Sequence, residues 1–406
     1  MAVGLDKISQ LNPVDGISLS VSKAGIKYSD RYDLTLIEIC EGAQVVGVFT
    51  QNQFCAAPVI IAKRHLVQTT PRFLVINTGN ANAGTGEQGL EDALQICEQV
   101  ASLAGVELTS VLPFSTGVIG ENLPTHRIVS ALPDAVNNTG MDDWVLAAEG
   151  IMTTDTLPKG VSRSFECNGE SVTITGIAKG SGMIRPNMAT LLAFVATDAE
   201  VEKSILQDML QRANAASFNS ITVDSDTSTN DACMLIATGQ GGLKISAETP
   251  VSVLDVFYEN LLEVLQTLAK NLVRDAEGAT KFIAVTVKNG IDEAECRQIA
   301  YTIAHSPLVK TAFFASDPNW GRILAAIGRV DIVDLDVSKL KIYLDDICIA
   351  ENGSRSPSYT EEKGQAVMDK QDIEIVIDLT RGNISHTIWT SDLSYEYIKI
   401  NAEYRT

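Results

Sequence analysis

Thr190 is the side chain in this sequence with the best claim to nucleophilic chemistry. It lies in AKGSGMIRPNMATLLAFVATDA, where a Gly- and Pro-marked loop runs into a nearly unbroken apolar stretch. A β-branched Thr in such a stretch is ordinarily a strand residue suited to the pleat. Three flanking features favour more: the Lys179-Gly-Ser-Gly loop, the Pro186-Asn187 break, and the small Ala189 directly before the hydroxyl. A strained turn with small neighbours suits attack of a hydroxyl on the preceding carbonyl. On local sequence alone the plain strand is the stronger reading, and the flanking features only permit the other.

Other chemistries find less support. Four His (65, 126, 305, 386) have no metal-ligand spacing, each reads as surface or loop, and no G-x-S-x-G elbow is present. Asp224, Asp226 and Asp231 imitate a cation loop, but Thr229 stands where Gly is needed and Leu235 where the bidentate acid belongs. Gly84-Thr-Gly-Glu-Gln-Gly89 matches a dinucleotide fingerprint after the strand FLVIN. That fingerprint needs its first Gly directly after the strand, and NTGNANA intervenes. A turn opening a helix is the plainer reading, and an uncleaved nucleotide- or metabolite-binding protein is the non-enzymatic alternative. Ser115-Thr116-Gly117 reads locally as a turn.

These residues need elements to hold them. Alternation and β-branched content predict strands at LTLIEIC, AQVVGVFT, PVIIAK and FLVINT, with a helix over about 90–104. A helix is expected over Asp142–Met152, then a hairpin turning at Asn168-Gly169. The apolar strand from Ala189-Thr190 reads as buried on both faces. Helical spacing covers 201–213, and Val253, Val256, Phe257, Leu261, Val264, Leu265, Leu268 and Leu272 form a longer amphipathic helix ending before Glu277-Gly278. Strands KFIAVTV, ILAAIGRV, KIYLDDICIA and IEIVIDL follow. The pattern predicts an α+β fold of layered sheets with flanking helices rather than a doubly wound one.

Composition narrows the partners. With 31 Lys+Arg against 51 Asp+Glu the net charge is −20, which repels nucleic acid and anionic membranes. The opening MAVGLDKISQ lacks a leader pattern, no apolar stretch is long enough for a membrane span, and a cytoplasmic protein is expected. Seven scattered Cys without a CxxC arrangement suit reduced buried thiols, and no metal site is indicated.

The full pattern resembles the ornithine acetyltransferase family, also called glutamate N-acetyltransferase or ArgJ family, over essentially the whole chain. The resemblance rests on KGSGMIRPNMATLL, FSTGVIGENLP, MTTDTLPKG, SFN-ITVD-DTSTND, RDAEGATKF, DPNWGRI and the terminal KINAEYRT. It implies a self-processing N-terminal-nucleophile fold of DmpA/ArgJ-like type, cut between Ala189 and Thr190 into an α chain (1–189) and a β chain (190–406) that fold together. The freed Thr190 amine, with a reference pKa of about 7.7–8.0, would serve as base for its own hydroxyl. Thr190 would then take acetyl from N2-acetylornithine and pass it to glutamate in a ping-pong exchange of arginine biosynthesis.

By the same resemblance Thr116 and Gly117 supply the oxyanion donors, and Thr153, Lys179, Thr190, Glu277, Asn401 and Thr406 bind substrate. Lys179 suits a carboxylate and Glu277 an ammonium. No cofactor is expected, acetyl-CoA is the alternative acetyl donor, and an α2β2 assembly is implied. A self-processing aminopeptidase or amidohydrolase of the same fold is the competing enzyme. Gly84, Ser220, Ser225 and Thr390-Ser391 depart from the family pattern without touching a functional residue.

Overall fold

The computed structural model describes residues 2–140, 142–185 and 191–403. Ala189, Thr190 and Thr406, all expected at the site, lie outside them. The chain forms two compact units. The first comprises Lys7–Asn219 and Asp226–Leu272; the second comprises residues up to Asp6, Ser220–Ser225 and the chain from Val273 onward.

In chain order the elements begin β1 (Ile17–Ser22), β2 (Leu34–Ile39), β3 (Gln44–Phe49), α1 (Ala57–Leu66), β4 (Phe73–Asn80), α2 (Gly86–Ala104) and β5 (Val111–Val118). Next come α3 (Thr125–Asn137), α4 (Trp144–Gly150), β6 (Lys159–Cys167), β7 (Glu170–Lys179), β8 (Leu192–Thr197), β9 (Glu200–Val201) and α5 (Lys203–Ala215). β10 (Ile221–Thr222) belongs to the second unit, before β11 (Ala232–Ala237), β12 (Lys244–Ile245) and α6 (Val251–Arg274).

Two mixed sheets stack in the first unit, ordered β1-β2-β4-β5 and β3-β11-β8-β7-β6. Strand alternation explains the layering. Leu74 and Ile76 of β4 point into the core between the sheets with Phe114, Phe194 and Met234, whereas Phe73 and Val75 face α2 and α3. The Phe114 and Phe194 rings meet edge to face at 5.2 Å. On the outer face of the five-stranded sheet, Gly176 gives room to Leu268 of α6. That helix buries Phe257, Leu261, Val264, Leu265, Leu268 and Leu272, while Val256 stays exposed. β8 is buried on both faces along its length.

The second unit holds β13 (Phe282–Gly290), α7 (Glu293–Ala304), α8 (Pro307–Phe314), α9 (Trp320–Gly328), β14 (Lys341–Leu344) and β15 (Ile347–Glu351). It ends with β16 (Ser354–Arg355), α10 (Glu361–Met368), β17 (Asp372–Asp378), β18 (Ile384–Ser391) and α11 (Tyr395–Ala402). Its seven-stranded sheet runs β10-β18-β13-β17-β14-β15-β16. Ile373, Ile375 and Ile377 of β17 enter the core with residues of α7 and α9, and the alternate positions Asp372 and Glu374 are exposed.

Several expectations need correction. PVIIAK is helical: Pro58 sits in the first turn of α1, and Val59, Ile61, Ala62 and His65 are buried at helical spacing. ILAAIGRV lies mostly in α9, where the Asn319 side chain accepts from Arg322 N–H and Ile323, Ala326 and Ile327 share a buried face. KIYLDDICIA is two strands, β14 and β15, turning at Asp345 with φ 47°. Nor are the histidines all superficial: His65 is buried with Nδ1 2.8 Å from Val111 O, and His386 lies within β18. The β6–β7 hairpin turns at Asn168-Gly169 as expected, with φ 54° and 82°.

Candidate functional site

Thr116 and Gly117 lie near the end of β5, which runs parallel to β4 until the register shifts at Gly79/Asn80. Gly117 has φ 137°, and a Cβ there would stand 2.3 Å from Gly79 C and 2.5 Å from Asn80 N. Only glycine fits so close to a neighbouring backbone. Buried amides brace this corner. Ser115 Oγ donates to Asn77 Oδ1 at 2.6 Å, and Asn77 Nδ2 donates to Asn80 O at 3.0 Å. Asn230 Nδ2 donates to Ala81 O at 2.6 Å and to Ser115 O at 2.9 Å. Each of these polar groups is removed from water and finds a partner, which fixes one arrangement of the strand ends.

Lys179 ends β7 and is buried; its Nζ donates to Thr116 Oγ1 at 3.2 Å. Behind it lies an ion pair that the sequence reading did not single out. Lys159 Nζ is 2.6 Å from Asp155 Oδ1, and both side chains are fully buried. The same Asp155 oxygen accepts from Gly180 N at 2.8 Å, and its other oxygen accepts from Thr153 N at 3.0 Å. Burial by itself pushes the Asp155 carboxyl up, but the Lys159 and Lys179 charges and the hydrogen bonds outweigh it and hold the group well below the usual carboxylate range. Thr116 and Lys179 thus touch directly, and Thr153 joins them through Asp155.

Leu191 is the first described residue after the expected nucleophile. Its N–H donates to buried Asp231 Oδ1 at 2.9 Å, and its carbonyl accepts from Ala232 N at 3.1 Å. Asp231, which does not complete a cation loop, anchors the chain at the start of β8 through its carboxylate.

In the second unit, Asn401 Nδ2 on α11 donates to Glu277 Oε2 at 2.8 Å. The segment bearing Glu277 docks on the start of that helix: Ser394 Oγ donates to Gly278 O at 2.6 Å, and a Cβ on Gly278 would stand 2.6 Å from Tyr397 N. Asp392 accepts from Thr280 N at 2.8 Å and Lys281 N at 3.0 Å, securing the following residues.

The Gly84–Gly89 motif is spent on its own turn. Thr85 Oγ1 donates to Asn82 Oδ1 at 2.9 Å, Asn82 Nδ2 donates to Gly89 O at 2.8 Å, and a Cβ on Gly89 would stand 1.9 Å from Thr85 Oγ1. Gly89 is therefore a packing glycine. With Gly84 four residues beyond the end of β4, the dinucleotide geometry is not met.

Comparison with known proteins agrees with the motif pattern. The ArgJ family model matches residues 18–406. The chain is 55% identical over 406 residues to the arginine biosynthesis bifunctional protein ArgJ of Pseudomonas syringae pv. tomato, covering 100% of each chain. It is 53% identical to the protein of the same name from Pseudomonas fluorescens, again covering 100% of each. Among solved structures it is similar to that of the arginine biosynthesis bifunctional protein ArgJ from Bacillus halodurans, with 35% identity, a TM-score of 0.48, and coverage of 52% of this chain and 97% of that one. On the family match and the full-length identity, this chain belongs to the ArgJ family.

Proposed function

We propose that this acyltransferase of arginine biosynthesis moves an acetyl group from N2-acetylornithine to glutamate, with Thr190 carrying it as an ester between the two. The observation that supports this reading most is the Lys179–Thr116 contact at 3.2 Å beside Gly117, whose position admits no side chain. A rigid, half-buried corner of hydrogen-bond donors braced by buried amides suits a developing oxyanion, and one such donor is worth about 2.7–4 kcal/mol of barrier.

The cycle begins with maturation. The Thr190 hydroxyl attacks the Ala189 carbonyl, the C–N bond breaks to free the Thr190 amine as the acyl group moves to oxygen, and water then hydrolyses that ester, restoring the hydroxyl and leaving an Ala189 carboxylate. That amine accepts the hydroxyl proton as the oxygen attacks the acetyl carbonyl of N2-acetylornithine. The C–N bond breaks, the proton passes to the leaving amine, and ornithine departs. The glutamate amine then attacks the acetyl ester and restores the Thr190 hydroxyl. Lys179 and Thr153 serve substrate binding in this reading, as do Glu277, Asn401 and Thr406. Acetyl-CoA enters as a second acetyl donor, no cofactor is required, and the two chains assemble as α2β2. Among the described residues no helix is long and apolar enough to cross a membrane.

Denaturing gels of wild type and Thr190→Ala, with acetyl transfer to glutamate from acetylornithine and from acetyl-CoA, test this reading. Two fragments and transfer are expected of wild type, one intact chain and no transfer of the variant. An intact wild-type chain that transfers acetyl would refute the nucleophile, and release of free acetate in place of acetylglutamate would make the enzyme a hydrolase.

A further inference from the structure

Lys159, Asp155 and Lys179 place two ammonium groups and one carboxylate in the buried interior of the first unit. The Asp155 carboxylate joins three pieces of chain: Lys159 at the start of β6, the Thr153 amide, and the Gly180 amide directly after Lys179. A contact between Thr154 Oγ1 and Ser181 Oγ at 2.6 Å reinforces the same junction. β6 and β7 pair Lys159 with Ala178, so the two lysines rise from adjacent positions of the ladder.

The hydrogen-bond sense follows from the donor inventory. An ammonium donates and does not accept, so at 3.2 Å from Lys179 Nζ the Thr116 Oγ1 must be the acceptor. Its one hydrogen is then directed to a different partner. Thr116 is half-buried at the mouth of the corner, whereas Ser115 beside it is buried and committed to Asn77.

We propose that Asp155 is the positioning residue of acyl transfer: by holding Lys159 and the Thr153 and Gly180 amides together, it sets Lys179 against Thr116 Oγ1 and turns the Thr116 hydroxyl hydrogen toward the developing oxyanion. The proposal rests on reading Thr116-Gly117 as the oxyanion donors. It gives Lys179 a second task besides meeting a carboxylate, and it explains an ion pair that makes no contact with solvent. Removing one member of the Asp155–Lys159 pair alone would leave a buried charge without its counter-ion, so the informative variants change the pair together or conserve its charges, and Lys179 keeps its charge in each.

The test compares full-length wild type with Asp155→Asn/Lys159→Met, which removes both charges, and with Asp155→Glu, which keeps them but moves the carboxylate by one methylene. Each is measured for thermal midpoint, self-cleavage, and kcat and KM of acetylornithine–glutamate exchange, alone and in a Thr116→Val background. In folded variants kcat is expected to fall on the order of tenfold or more, by a larger factor than either KM rises. In the Thr116→Val background the same changes should have little further effect, the non-additivity expected of residues acting through one another. Unchanged kcat, or an effect that multiplies in full on top of Thr116→Val, would overturn the proposal. Should the paired change not fold, Asp155→Glu carries the same comparison. A folded but uncleaved Asp155 variant supports the proposal if Thr116→Val is uncleaved too, and opposes it if Thr116→Val cleaves at the wild-type rate. Transfer by Thr190→Ala would refute the Thr190 intermediate independently of these results.

Discussion

Replacing Gly117 by Ala probes the corner on which the functional reading rests. The added methyl would stand 2.3 Å from Gly79 C and 2.5 Å from Asn80 N, and neither atom belongs to a side chain that could rotate away. Relief requires β4 and β5 to part near the register shift. The φ of 137° adds backbone strain of about 1–3 kcal/mol, and overpacking of this kind costs about 1–3 kcal/mol. The sum is about 2–6 kcal/mol, a large share of the roughly 5–15 kcal/mol that stabilises a typical domain. Gly105→Ala is the control: Gly105 also has positive φ, 69°, but nothing lies within 4 Å of its added Cβ. Chemical denaturation of both variants, with denaturing gels for self-cleavage, separates clash from strain. Gly117→Ala should lose stability well beyond Gly105→Ala, and whatever folds should cleave and transfer at least a hundredfold more slowly, as about 1 Å of misplacement costs. A Gly117→Ala protein no less stable than the control, and cleaved at the wild-type rate, would refute the reasoning.

Three further outcomes follow from individual contacts. Asp231→Ala removes the acceptor of the Leu191 N–H and should cost about 1–3 kcal/mol and slow cleavage, with Asp231→Asn recovering much of both; equal behaviour of the two variants would count against an anchoring role. Gly278→Ala places a methyl 2.6 Å from Tyr397 N and should loosen α11, seen as faster proteolysis within residues 395–402 and a raised KM, whereas wild-type protease resistance would show that the helix docks by other means. Burial pushes the Lys310 ammonium from 10.5 down to about 8, despite the opposing charges of Asp392 and Asp224. The unfolded chain therefore holds more protons than the folded one between those values, so stability should rise with pH across that window, by roughly 3 kcal/mol. Lys310→Met should lack that rise, and identical pH slopes in chemical denaturation would contradict it.

The parts of the fold that were legible are those set by local rules. The apolar, β-branched runs of β2 and β4 and the Asn168-Gly169 turn each act over a few residues, and the structure follows them. Short apolar runs were not legible, because PVIIAK and ILAAIGRV satisfy strand and helix patterns alike. Pro58 in the first turn and the Asn319 cap decide for helix, and both lie at the margin of the run rather than inside it. The site divides the same way. Thr116, Gly117, Thr153 and Lys179 could be named through motif resemblance. Asp155 and Lys159 lie within the quoted MTTDTLPKG, yet an Asp and a Lys four residues apart ordinarily form a weak surface pair. Nothing in their spacing indicates that both side chains are fully buried.

The proposed scissile bond has a particular place in this architecture. It falls between β7 and β8, which are consecutive along the chain and antiparallel neighbours in one sheet, paired from Ile174 with Thr197 to Lys179 with Leu192. β8 is also flanked by β11, paired in parallel from Ala232 with Leu192 to Ala237 with Thr197. Cutting the connection would remove a covalent link while leaving both ladders intact and an interior strand buried on both faces. Dissociation would then expose a fully buried, largely apolar strand and break hydrogen bonds on two sides, a cost far above that of closing one loop. Lys179 and Leu192 are paired across β7 and β8, so the residue that reaches Thr116 stays in register with the start of the strand that follows Thr190. The sheet, rather than the peptide bond, would keep Lys179 and the start of β8 together.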